Sequence, residues 1–171
     1  MQRYDYEQIE FSALPADVLV AFDYWRSLKA DRLAPSWPEF DLMKLPAHLI
    51  PYTNVVDVVD GGKDFFCRFY GSSLAEIHGK ELSSKLVSTA EPEELREAVL
   101  ISMREIIEIR RPMARVAQIY PRHVVTLQSL IRMPLSDDGK EITNIVTVAQ
   151  YQRGVRDSKE IVATTFTSKS G

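Results

Sequence analysis

Side chains able to do chemistry are sparse in this chain, and their spacing removes most reactions from consideration. His48, His78 and His123 are widely spaced and share no predicted element, so they make no ligand set and no metal is expected. No HExxH, P-loop, GxSxG or GxGxxG pattern is present. Gly71-Ser72-Ser73 lacks the glycine-x-serine-x-glycine frame of a nucleophile elbow. Cys67, the single cysteine, falls in the β-rich run FFCRFYG and reads as a small buried residue. No catalytic activity is expected. The polar residues of interest are two amides, Gln118 and Gln128, on neighbouring predicted strands. A buried amide without a partner costs roughly 1–3 kcal/mol, so a ligand, ordered water or Arg132 would have to satisfy them. If the loop between the strands takes residues 121–123, Gln118 pairs near Thr126, and Gln118, Thr126, Gln128 and Leu130 share one face. A two-residue loop flips the third strand and breaks that face.

The elements that position these amides are organised around residues 123–152, two long β-runs joined by the turn SDDGK. Neither run alternates strictly between apolar and polar residues, so both faces of this hairpin are expected to be covered. Ahead of it, residues 12–29 have the apolar spacing of a helix, with Ser12 as N-cap and Pro15 in the first turn. Four prolines make residues 30–51 an ordered connector, with short helical turns at Glu39–Met43 and Ala47–Ile50. The runs TNVVDVVD and DFFCRFY form a hairpin through Gly61-Gly62. A short helix ending at Gly79 follows, then a long helix over about residues 90–110 capped by Thr89, then a third strand, MARVAQIY. The organisation is residues 1–51 packed on the domain, a core of 52–152, and a polar, flexible tail over 153–171.

Composition bounds the partners. With 171 residues, 45% hydrophobic and 26% charged, the chain suits one globular domain. A net charge of −3 without a basic stripe gives no reason to expect nucleic acid. No apolar run approaches the roughly 18–20 residues of a membrane span. The opening MQRYDYEQIEF has no apolar h-region, so a cytoplasmic location is expected.

Two strands, a helical crossing and three strands is the order of a PAS domain, and the chain resembles bacterial stand-alone PAS-like proteins. The resemblance runs through YWRSLKADRLAPSWPEFDLMKLPAHLIP, FCRFYGSSLAEIHGKEL and LIRMPLSDDGKEI, and covers roughly residues 14–151. Ser83-Ser84 stands where the group tends to show a threonine-glycine pair. The resemblance implies an α+β fold: a five-stranded antiparallel sheet with helices on one face and an N-terminal flanking helix. It also implies a pocket whose strand side presents amides, which Gln118 and Gln128 match. Light-sensing flavin members hold their cysteine in a helical GxNCRFLQ phrase. Cys67 lacks the asparagine and glutamine neighbours and lies on a predicted strand, so neither flavin nor haem is expected.

Two sites follow. A pocket is expected with Leu74, Ile77 and Met103 from the helical side and Gln118, Gln128 and Leu130 from the strands. Leu127, Ile131 and Met133 then point outward, more apolar surface than water tolerates. The stripe of Val18, Phe22 and Trp25 is wide enough to cover it, in its own chain or across a two-fold axis, and a homodimer through these residues is expected. The leading function is a sensory or interaction module for an unknown small molecule and an unknown signalling protein, with no output domain of its own. One alternative is a small cone-shaped isomerase or dehydratase, which needs an inward Asp–His or Asp–Tyr pair. Another is a ligand-free structural dimer with a filled core.

Overall fold

The β-branched and aromatic runs form the strands their composition favours. The computed structural model describes residues 5–119 and 126–153. Among these are six strands: β1 (Asp5–Gln8), β2 (Thr53–Val59), β3 (Asp64–Tyr70), β4 (Met113–Ile119), β5 (Thr126–Leu135) and β6 (Asn144–Arg153). Three α-helices accompany them: α1 (Ala16–Lys29), α2 (Ser72–His78) and α3 (Glu93–Ile109). All strand pairs are antiparallel, in the order β1-β4-β5-β6-β2-β3. The five expected strands are present with α2 and α3 crossing between the second and third of them, an α+β, PAS-like arrangement. The sixth is an addition. Asp5–Gln8 reads DYEQ, without any strand signature, and forms because β4 would otherwise leave a row of unpaired backbone groups at the sheet edge.

Each face of the sheet carries its own core. On one, Leu14, Val18, Ala21 and Trp25 meet Val55, Ala114, Ile131, Met133, Val146 and Val148. On the other, Leu74, Leu100, Met103 and Ile106 meet Val56, Phe65, Cys67, Met113 and Ile145. Central strands covered on both sides have no polar face to alternate with, which is why β5 and β6 read as near-continuous apolar runs. No helix of the described residues is long and apolar enough to cross a membrane.

Prolines set the helix starts. Leu14 precedes Pro15 and is extended, so α1 begins at Ala16 and Ser12 sits in a separate 3-10 turn, Phe11–Ala13. Pro92 plays the same part for α3, which starts at Glu93 rather than behind Thr89. The connector folds as 3-10 turns at Trp37–Glu39, Leu42–Lys44 and Ala47–Tyr52. The expected loop at 121–123 and, beyond Arg153, the expected tail lie outside the described residues.

The covered outer face changes the expected interface. Val18, Trp25, Leu127, Ile131 and Met133 are all buried within the one chain, so none offers surface to a second copy. The reason is local: Trp25 packs in the core on the β5–β6 side and its indole N–H donates to the Pro134 carbonyl at 2.8 Å. Phe22 remains half-buried, stacked on Phe11 at 4.5 Å with the Arg26 guanidinium over its ring.

Candidate ligand-binding site

The face under α2 and α3 holds a small pocket whose floor is written in the strand register. One row across the sheet is Tyr6, Ala117, Gln128 and Tyr151. Another is Met113, Arg132, Thr147, Asn54 and Tyr70. Between them, the small side chain of Ala149 leaves a hollow. Leu95, Val99 and Met103 of α3, Leu74 and His78 of α2, and Leu82 and Val87 between the helices form the roof. The space open to water is about 50 Å³, inside a concavity of about 630 Å³ when its crevices and mouth are counted. The roof is apolar. The floor is not.

Gln128, 7% exposed, donates from Nε2 to the Tyr151 hydroxyl at 2.8 Å, and the Tyr151 ring packs 5.2 Å from that of Tyr52. Arg132, 3% exposed, donates from Nε to Ser102 Oγ at 2.8 Å and from Nη1 to Thr147 Oγ1 at 2.7 Å. Burial pulls its pKa down, against the neighbouring phenols of Tyr6 and Tyr151 and together with the nearby charge of Arg115. Arg115 itself is paired with Glu105. Burial raises the Tyr6 pKa, so its hydroxyl keeps its proton. Asn54 Oδ1 is shielded from solvent and has no hydrogen-bond partner.

Of the expected pocket residues, Leu74, Met103 and Gln128 line the space. Gln118 does not. It pairs with Leu127 and so lies on the opposite face, while Ala117 takes the place beside Gln128. The register is one residue away from the expected pairing with Thr126, which Ile119 occupies. Ile77 also stands aside: α2 turns His78, four residues beyond Leu74, to the pocket instead. Leu130 faces the same side but is covered beside Arg115 and Ala149. Sequence reasoning missed Asn54 and Tyr6 entirely, and named Arg132 only as a partner for the amides. The alternation Gln128, Leu130, Arg132 was the signal that places the arginine inward.

Two groups in the wall are chemically quiet. Burial pushes the Cys67 thiol up to about 12, with Glu81 and Asp57 adding to the effect, so it is no nucleophile at neutral pH. Burial lowers His78 to about 4, leaving the imidazole neutral. Below about pH 6.5 an unfolded chain takes up a proton here that the folded chain refuses until about pH 4. Stability is therefore expected to fall as pH drops through that window and to be flat for this group below it. The loss should be about 1–3 kcal/mol, moderated because the ring also meets the open groove beside Gly79 and Lys80. His78→Gln should remove this pH dependence from urea-unfolding curves.

Among the described residues no three His, Cys, Asp or Glu side chains converge as a metal would require. No protein-family model and no curated protein matches the chain. Solved structures are similar in part. A light-oxygen-voltage domain, in a structure concerned with a flavin analogue, aligns at 14% identity and a TM-score of 0.45, over 68% of this chain and 87% of its own. A sensory box histidine kinase/response regulator from Burkholderia thailandensis E264 aligns at 14% identity and a TM-score of 0.41, over 75% of this chain and 95% of its own. Both scores are below 0.5, and the fold assignment rests on this chain's own strand order and crossings.

Proposed function

We propose that this chain is a PAS-like sensory module that binds a small molecule between the sheet and α2–α3 and signals through contact with another protein. One observation carries the reading: a buried carbonyl oxygen, Asn54 Oδ1, has no partner and lies in the wall of an otherwise roofed pocket. An orphaned buried acceptor costs about 1–3 kcal/mol, and such a group is expected where a bound molecule completes it. An apolar enclosure with a few converging polar groups is the form a small-molecule site takes.

The enzymatic alternative needs an inward carboxylate, and the described residues lining this pocket include neither Asp nor Glu. Binding without catalysis is the reading they favour. The test is native mass spectrometry of freshly purified protein, together with a thermal-shift panel of small metabolites. A bound species lost on denaturation, or a compound that raises Tm, is the expected result. Ala149→Leu, which fills the hollow, should abolish either signal. If Ala149→Leu only raises Tm, and the wild type responds to nothing, the pocket is a packing defect and the reading fails.

A further inference from the structure

The arginine on the pocket floor is buried without a counter-charge. Arg132 bonds two hydroxyls, those of Ser102 and Thr147, and no carboxylate of the described residues pairs with it. The nearest acid in its network, Glu105, is already held by Arg115. Its third guanidinium nitrogen, Nη2, has no acceptor among the described residues. A buried guanidinium stays protonated, and holding it away from water without an anion is costly. Two neutral hydroxyls orient the charge but do not neutralise it.

The second uncompensated group lies on the same row. Arg132 pairs with Thr147 in the register, and Thr147 with Asn54. Two inter-strand steps separate arginine from asparagine, roughly 10 Å between Cα positions. Their side chains both reach the pocket, one offering donors with a positive charge and the other an unpaired acceptor.

We propose that the pocket takes a small carboxylic acid bearing a hydroxyl or amino group, with its carboxylate on the Arg132 guanidinium and its donor on Asn54 Oδ1. This rests on the small-molecule reading above and gives that molecule a chemical class. Guanidinium meets carboxylate in a two-bond fork, here made by Nη2 together with the Nη1 hydrogen that Thr147 does not take. The roof of Leu74, Val99 and Met103 suits a short hydrocarbon body. With only about 50 Å³ open to water inside the concavity of about 630 Å³, the acid is a short one.

The test uses the full chain in calorimetry and thermal shift, with lactate, 3-hydroxybutyrate and alanine as probes. Their methyl esters, butyrate, chloride and inorganic phosphate are the controls. At least one of the three acids should raise Tm by several degrees at millimolar concentration, and its ester should not. Arg132→Met should bind that acid at least tenfold more weakly while its own Tm stays level or rises, because an unpaired buried charge has been replaced by an apolar side chain of similar length. Asn54→Leu should reduce 3-hydroxybutyrate to the affinity of butyrate. Esters that bind as well as acids would overturn the carboxylate assignment and leave the small-molecule reading intact. Chloride or phosphate acting as strongly as the acids would overturn it in favour of an inorganic ion. If none of the acids binds, the proposal falls, and if Arg132→Met also lowers Tm, the arginine is a staple between α3 and the sheet.

Discussion

Replacing Gly71 by alanine should leave this chain mostly unfolded at temperatures where the wild type is stable. A Cβ built at Gly71 would lie 2.1 Å from the Pro51 carbonyl oxygen, 2.4 Å from its carbon and 2.9 Å from the Ile50 oxygen. These are backbone atoms, so no rotamer change relieves the overlap. The backbone they belong to is itself tied down. Thr53 Oγ1 donates to the Leu49 carbonyl at 2.8 Å, and the Gly71 amide donates to the Thr53 carbonyl at 2.9 Å. Overpacking of side chains costs about 1–3 kcal/mol, and a clash with fixed main chain belongs at or above the top of that range. A fall in Tm of roughly 10 °C is expected for about 3 kcal/mol in a domain of this size. Gly61→Ala is the control. Its site has open space and a φ of +65°, so it should cost only about 1 kcal/mol. Equal stabilities of the two variants in urea would remove the close approach from the account.

Trp25→Ala should be at least as damaging, for a different reason. The indole is 2% exposed and fills the core between α1 and the outer face of the sheet. Removing a buried tryptophan side chain costs about 3–5 kcal/mol. The Pro134 carbonyl would also lose its donor at 2.8 Å. Trp25→Phe keeps most of the ring and isolates that bond, with an expected loss of about 1–3 kcal/mol. The pair separates stability from association. If α1 serves its own sheet, both variants lose stability and neither changes molecular mass in light scattering. A shift from dimer to monomer at unchanged stability would instead put α1 between two copies.

The fold was legible where residue period is strong. The Gly61-Gly62 hairpin, the Leu95–Val99–Met103–Ile106 face of α3 and the apolar β5 and β6 all follow from spacing and turn chemistry. Strand β1 was not legible, because DYEQ earns its strand only from the open edge of β4. The pocket was half legible. Gln128 follows from the alternation of β5, but the face of Gln118 depends on the β4–β5 register, which the sequence leaves open between a two- and a three-residue loop. On α2, residues three and four beyond Leu74 both suit an inward stripe, and the rotation of a seven-residue helix decides between Ile77 and His78. Asn54 sits in a run that reads simply as strand. Nothing in its neighbours announces an unpaired oxygen.

The place of β6 bears on how the molecule is made. It follows every other described strand in the chain, yet it lies between β5 and β2. Until it emerges from the ribosome, the sheet exists at most as two separate pieces, β2–β3 and β1–β4–β5. Each of these presents a long unpaired inner edge, on β2 and on β5, of the kind that recruits other strands. Helix α1, although made early, has to wait for Pro134 and Val146 before its tryptophan gains its hydrogen bond and the central strands of the sheet. The β2 edge therefore waits unpaired while α2, α3, β4 and β5 are made, and it closes only when β6 arrives, which makes that interval, rather than the finished fold, the point at which chaperone binding counts most.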